Sequence, residues 1–282
     1  MKVVGTQKSQ IIAGRIAERL NADLAATKFS QFPDGELYVQ TGPIDDETII
    51  VGSLVDSDTL VQLLLLIDAC EQSRITLVLP YMGYARQDKR FKDGEPISAR
   101  AIAQSLGFGI DRIITAHVHE PSILGYFGVP ATNVSLIPEI KSYIASVGYD
   151  NPLILAPDEG AEGFAADIAR EGAWEYDYLI KTRLDGEHVR MEPKKLHVES
   201  RTVLIVDDII STGGTLAMAT ELLRDQGALA VHTVCVHGIF ASGAYTLLKN
   251  SGIGDVAASD TIETGYSRYS AAEPLTKAIK EC

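Results

Sequence analysis

Asp207 and Asp208 stand side by side and are followed closely by Ser211-Thr212-Gly213-Gly214-Thr215. The hydroxyl and glycine run leads into Leu216 to Gln226, which has helical spacing and ends at Gly227. A turn that feeds a helix N-terminus aims several backbone N–H groups, and the positive end of the helix dipole, at one point. That point suits a phosphate. Gly213 and Gly214 let the backbone approach an anion with no Cβ in the way, and Thr212 and Thr215 can add hydroxyl donors. A phosphate cradle does not want carboxylates beside it unless something else is bound. Vicinal sugar hydroxyls fit the aspartates, and so does a metal ion. A phosphorylated sugar satisfies both halves of the stretch at once.

Other reactive side chains fall in short clusters. Phe32-Pro33-Asp34-Gly35-Glu36 is a tight-turn sequence, and by itself reads as a hairpin with solvated carboxylates. Arg86, Lys89, Arg90 and Lys92 crowd one loop of an acidic chain. They form a local anion site or a solvated loop. His117 and His119 alternate, which puts them on one face of an extended segment. Asp158 follows a short apolar run, and Lys181 and Arg183 follow another. The last two would ordinarily be the start of a solvated hairpin.

The elements that carry these residues alternate between strand and helix. The stretch from Arg201 holds an apolar, largely β-branched run, Val203 to Val206, too short for a helix, so it reads as a buried parallel strand that ends at the aspartates. Open α/β sheets place ligands at that end. Strands are also expected at 2–5, 24–29, 37–40, 48–52, 74–79, 112–116, 153–156, 176–180, 230–237 and 255–258. Helices are expected at 10–20, 58–72, 97–106, after 161 to Arg170, at 241–250 and at 273–280. Thr48-Ile49-Ile50-Val51 echoes Thr202-Val203-Leu204-Ile205, and Thr59-Leu60 echoes Thr215-Leu216. Gly52-Ser53 stands where the second copy has the aspartates. The echo implies two domains of one fold, with the sugar-phosphate site kept in the second. Gly148, Asn151 and Pro152 cluster at the expected boundary, which divides the chain into 1–147 and 148–282 with the final helix able to return to the first domain.

Composition narrows the function. The 282 residues carry a formal charge of −13, which argues against a nucleic-acid partner. Met1 to Gly5 reads as a strand and not a signal peptide. The densest apolar run, Leu60 to Leu66, is far too short to span a membrane. Cys70, Cys235 and Cys282 are widely spaced, without metal-ligand spacing. Cys70 and Cys235 read as core thiols of a reducing, cytoplasmic setting. There is no Walker A motif and no dinucleotide fingerprint.

The stretch from Arg201 to Thr215 resembles the phosphoribosyl-pyrophosphate motif shared by type I phosphoribosyltransferases and ribose-phosphate pyrophosphokinases. Four further motifs resemble the pyrophosphokinases in the family's order, over nearly the whole chain: Phe32–Glu36, Tyr84-Ala85-Arg86-Gln87-Asp88-Lys89 with Pro96-Ile97-Ser98-Ala99, His119, and Pro157-Asp158 with Lys181 and Arg183. The short, archaeal-like form of the family fits best. The resemblance implies an α/β fold of two similar type I phosphoribosyltransferase-like domains, each a mainly parallel sheet flanked by helices.

It also implies transfer of the diphosphoryl group of ATP to ribose 5-phosphate, with Mg²⁺ as cofactor. Phe32, Asp34, Gly35, Glu36, Arg86 and Gln87 would bind ATP. His119 and Asp158 would be metal ligands. Asp207, Asp208, Ser211, Thr212, Gly213, Gly214, Thr215 and Arg183 would bind ribose 5-phosphate. Lys181 and Arg183 would be catalytic. The resemblance further implies a homo-oligomer, at least a dimer, in which the early turn completes a neighbouring subunit's site. Many relatives have Ala after the aspartate where this chain has Glu159, and bacterial members commonly have Asp where it has His117. The rival readings are a type I phosphoribosyltransferase, which does not need the Phe32–Glu36 loop or Arg86-Gln87, and a non-catalytic synthetase-associated regulatory protein, whose loops would be damaged.

Overall fold

Val3-Val4, Ile49-Ile50-Val51 and Leu77-Val78-Leu79 are β-branched or leucine runs with almost no exposure. Runs apolar on both faces are the mark of parallel strands covered on both sides. In a computed structural model, which describes residues 1–183, 189–191 and 196–281, they are the centre of the first of two compact units. The side chains at 181–183 and 189–191 lie outside the described set. The first unit takes in Met1–Ser135, Thr261–Glu263 and Ser270–Cys282, and the second Leu136–Asp260 and Thr264–Tyr269.

In the first unit, β1 (Lys2–Gly5), α1 (Gln10–Leu20) and β2 (Asp23–Leu24) are followed by β3 (Thr27–Gln31) and β4 (Leu37–Thr41). Then come β5 (Glu47–Val51), α2 (Ser57–Ala69), β6 (Arg74–Leu79), α3 (Ser98–Gly107), β7 (Arg112–Ala116) and β8 (Ala131–Val134). The sheet order is β2-β1-β5-β6-β7-β8, every pair parallel. β3 and β4 form a separate antiparallel ribbon. The start of α2 is set by Asp56, whose carboxylate accepts from the Thr59 N–H at 2.9 Å and the Thr59 hydroxyl at 2.7 Å. The C-terminal helix Ala272–Glu281 belongs to this unit, and Lys280 donates to the Arg19 carbonyl at the end of α1.

The second unit holds α4 (Ile137–Val147), β9 (Leu153–Ala156), α5 (Glu162–Gly172), β10 (Glu175–Tyr178), β11 (Lys181–Arg183) and β12 (Val189–Met191). β13 (Thr202–Ile210), α6 (Gly214–Asp225), β14 (Ala230–Gly238), α7 (Ala244–Asn250), β15 (Val256–Ser259) and β16 (Ser267–Tyr269) complete it. Its sheet order is β10-β9-β13-β14-β15-β16, again all parallel. The second sheet therefore repeats the strand order of the first, and β11 and β12 form an antiparallel ribbon at the same point in the sequence of elements as β3 and β4. The echoed strands Thr48–Val51 and Thr202–Ile205 occupy equivalent places, third in chain order in each sheet.

Three expectations are corrected. The division falls at 135/136 and not at 147/148. Gly148 caps α4 with a left-handed backbone inside the second unit, so the Gly, Asn and Pro cluster marks a helix end. The expected helix 241–250 is broken at Ser242, with α7 starting only at Ala244. The expected strand 24–29 is two strands, β2 in the sheet and β3 in the ribbon.

Candidate active site

β13 pairs with β9 over Val203–Ile205 only, but with β14 as far as Ile210. Asp207 and Asp208 thus lie within the strand yet beyond the point where β9 stops and turns into Pro157-Asp158. The Asp208 N–H donates to Asp207 Oδ1 at 3.0 Å. Burial holds the Asp207 carboxyl well above the usual carboxylate range, and the charges of Asp208 and Asp158 push it the same way. Asp158 itself accepts from the Ala161 N–H at 3.3 Å, capping the turn before α5. Three mutually repelling carboxylates favour hydroxyl donors or a hard cation that takes most of its ligands from elsewhere, as Mg²⁺ does. Among the described residues no group of three or more His, Cys, Asp or Glu side chains is arranged to hold a metal unaided.

Next to the carboxylates, β13 passes into Ser211–Gly213 and then α6. Gly213 is the N-cap at φ 76°, and the first bond into the helix runs from the Ala217 N–H to the Gly213 carbonyl at 2.9 Å. The N–H groups of Gly214, Thr215 and Leu216 therefore lead the helix without intrahelical acceptors. Among the described residues no side chain caps this end. A Cβ built on Gly214 would meet, beyond its own helix and chain neighbours, no atom of the described residues within 4 Å. Among the described residues nothing excludes a side chain there, so this side of the helix end is open to an approaching group. The arrangement can take a phosphate at the helix end and hydroxyls or a cation at the carboxylates.

The first unit presents the other candidate residues. Phe32–Glu36 is the tip of the β3–β4 ribbon, closed by Phe32 N–H to Glu36 carbonyl at 2.8 Å and Gly35 N–H to Phe32 carbonyl at 2.9 Å. Gln31 Nε2 also holds the Gly35 carbonyl at 2.7 Å. Phe32 is half exposed, and Tyr38 meets its ring edge-on at 5.9 Å. Arg86 is exposed beyond β6. Gln87 is partly buried: the Ser98 hydroxyl donates to its side chain and the Ala99 N–H to its carbonyl. His119 is exposed beyond β7, the neighbouring strand.

His117 and His119 do not share a face of an extended segment, as alternation suggested. His117 has a left-handed backbone at φ 46°, which breaks the strand. Lys181, at the start of β11, and Arg183 have side chains outside the described residues.

Two residues escaped the sequence reading. The Glu95 carboxylate accepts from the Phe91 and Lys92 N–H groups at 2.9 and 3.1 Å, so the basic loop is folded on itself and not merely solvated. The Lys92-Asp93-Gly94-Glu95 turn was its only sequence signal. Glu120 accepts from the Ser122 N–H, and this bond, with the charges of His119 and Lys89, keeps its carboxyl below the usual range. That coupling sets His119 and the basic loop in one electrostatic neighbourhood, which spacing could not reveal.

The doubled parallel fold, with an open helix end at the carboxyl edge of the second sheet, is that of an α/β protein of phosphoribosyltransferase type. Comparison with known proteins makes the assignment finer. Residues 138–268 match the phosphoribosyl transferase domain, and residues 1–108 match the N-terminal domain of ribose phosphate pyrophosphokinase. A ribose-phosphate pyrophosphokinase of Methanosarcina acetivorans is 45% identical over 99% of each chain. One of Methanopyrus kandleri is 39% identical, also over 99% of each. The crystal structure of phosphoribosylpyrophosphate synthetase from Mycobacterium smegmatis superposes with a TM-score of 0.85 at 28% identity, covering 99% of this chain and 97% of that one. The chain belongs to the ribose-phosphate pyrophosphokinase family, and it is an enzyme of the transferase class. The N-terminal match and the full-length relatives do not favour a lone phosphoribosyltransferase. No described helix is long and apolar enough to cross a membrane.

Proposed function

We propose that the protein transfers the diphosphoryl group of ATP to the 1-hydroxyl of ribose 5-phosphate, giving 5-phosphoribosyl 1-pyrophosphate and AMP for nucleotide biosynthesis. The observation that carries this reading is the Asp207-Asp208 pair running into the bare helix end at Gly213-Gly214, in a chain whose full-length relatives bear the pyrophosphokinase name. Ser211, Thr212, Gly213, Gly214 and Thr215 hold the 5-phosphate, and Asp207 and Asp208 accept from the ribose hydroxyls. Phe32 offers its ring to adenine, with Asp34, Gly35 and Glu36 accepting from or lying against the nucleotide, and Arg86 and Gln87 contact ATP.

The anomeric hydroxyl attacks the β-phosphorus and AMP leaves, so no side chain needs to become covalently attached. Lys181 and Arg183 meet the charge that develops on the transferring group, and Arg183 also reaches ribose 5-phosphate. His119 would hold the metal of the magnesium nucleotide and Asp158 a metal at the pyrophosphate. Bound Mg²⁺ supplies charge neutralisation of phosphate oxygens. The Asp158–Asp207 repulsion supports a cation at that edge. The enzyme acts as a homo-oligomer, at least a dimer, in which the early turn of one subunit serves the reaction of another. It needs neither nucleic acid nor a membrane. The buried free thiols Cys70 and Cys235 accord with a cytoplasmic setting.

The test is to incubate the pure protein with ATP, Mg²⁺ and ribose 5-phosphate and to follow AMP. Formation of AMP only when the sugar phosphate is present is expected. If ATP is untouched, or is consumed equally without the sugar, the reading is wrong.

A further inference from the structure

Phe240 has a left-handed backbone, φ 48° and ψ 42°, which a bulky side chain rarely adopts. Ser242 at φ 54° and Gly243 at φ 74° follow it. This cramped turn is tied to the end of β13. The Ile239 and Phe240 N–H groups both donate to the Ile210 carbonyl, at 2.9 and 3.2 Å, and the Ala241 N–H donates to the Ser211 carbonyl at 3.0 Å. Ser211 is the first residue of the cradle. From behind, α7 closes on the N-cap of α6: a Cβ on Gly213 would lie 3.1 Å from Leu248 Cγ and 3.5 Å from Ala244 Cβ.

The Phe240 ring is held on two sides. It meets Tyr266 edge-on, with centroids 5.1 Å apart, and Tyr266 stacks on Tyr245 at 4.3 Å. Position 238 must be glycine for the ring to fit, because a Cβ there would fall 2.4 Å from Phe240 Cε2. Strained backbone persists only where its surroundings over-determine it, and it gathers at ligand clamps. Here the ring supplies that over-determination, and the strained N–H groups deliver it to the cradle.

We infer that Phe240 is a positioning residue for ribose 5-phosphate: its ring, set between Gly238 and Tyr266, fixes the turn whose N–H groups hold Ile210 and Ser211, and so fixes the phosphate loop. Phe240 touches no substrate in this role. The inference rests on the reading of Ser211–Thr215 as the 5-phosphate cradle.

Steady-state kinetics of the full chain test it, with ATP and ribose 5-phosphate varied separately. Phe240→Gly keeps the left-handed corner free of strain but removes the ring, so it should fold even if Phe240→Ala does not. Both variants should raise KM for ribose 5-phosphate about tenfold or more, with KM for ATP and kcat at saturation within about twofold of the parent. Tyr266→Ala should act in the same direction, and Tyr266→Phe, which keeps the ring contact, should behave as the parent. A folded Phe240→Gly with unchanged KM for ribose 5-phosphate overturns the inference. So does an equal rise in both KM values, which would mean general loosening. Gly214→Ala separates the two layers of the argument. If it leaves ribose 5-phosphate affinity untouched, the cradle reading itself falls; if it weakens that affinity while Phe240→Gly does not, only the role of Phe240 falls.

Discussion

The Asp208 N–H donates to Asp207 Oδ1 at 3.0 Å, yet that bond does not offset the burial and like charge that hold the Asp207 carboxyl well above its usual range. A carboxylate that is buried and faces like charge costs stability whenever it is ionised. Asp207→Asn should therefore stabilise the free protein by about 0.5–2 kcal/mol while destroying ribose 5-phosphate binding, a trade of stability for function. The sign in pH follows from linkage. A carboxyl with a raised folded pKa holds its proton longer when folded than when unfolded. Stability is then greatest below the unfolded carboxylate pKa of about 4 and declines as pH rises toward the folded value. The Tm gap between variant and parent should be small near pH 4 and widen toward neutrality. A gap that narrows with rising pH contradicts the assignment.

Gly214→Ala gives an independent check on the cradle. Beyond its own helix the new Cβ has no neighbour among the described residues within 4 Å, and position 214 is the first residue of α6. Replacing glycine at a helical position trims unfolded-state freedom and should raise stability by about 0.4–1 kcal/mol. The same methyl occupies the space where a phosphate would approach the backbone. Isothermal titration with ribose 5-phosphate should show a loss of about tenfold or more in affinity, alongside a raised Tm. Unchanged affinity means the open space at Gly214 serves something else.

Lys181→Ala should lower kcat by about a hundred- to a thousandfold, because a cation facing charge that develops only in the transition state acts on turnover. Substitution of a lysine in a short two-stranded ribbon should leave unfolding free energy within about 0.5 kcal/mol of the parent. Near-normal turnover would make Lys181 a solvated ribbon residue.

Much of this fold was readable because its strands are buried on both faces. Ile49-Ile50-Val51 and Val203-Leu204-Ile205-Val206 announce parallel strands without help from tertiary structure. The candidate cradle stands out in the sequence for a related reason: the Asp pair and the Ser-Thr-Gly-Gly-Thr run are adjacent. The rest depended on backbone torsions that composition does not encode. Gly148 and Asn151 look like a domain linker, but they are left-handed corners after α4 within one unit. Pro138 at the start of α4 was a helix signal that the linker reading obscured. β2 is two exposed residues, too short to show a period. The left-handed turns at His117 and Phe240 follow from packing and hydrogen bonds to residues distant in sequence, such as His117 N–H to the Val134 carbonyl at 2.8 Å.

Phe32, Asp34 and Glu36 sit at the exposed tip of a ribbon in the first unit, and the proposed cradle, Ser211–Thr215, lies in the second. If the tip of one subunit serves the cradle of another, an inactive Phe32→Ala/Glu36→Ala variant and an inactive Lys181→Ala variant should complement each other when mixed. In a mixed dimer, one of two shared sites would carry both defects and the other neither. About half the sites of mixed dimers, and about a quarter of all sites after random exchange of equal amounts, would then be intact, each active if sites work independently. AMP formation should rise with time after mixing and track subunit exchange, measured in parallel by fluorescence transfer between labelled chains. If exchange proceeds and activity stays at background, each tip serves its own chain or does not bind ATP, and the shared site must be abandoned. If either variant is active before mixing, the loss assigned to its residues is wrong, and the roles of the ribbon tip or of Lys181 fall first.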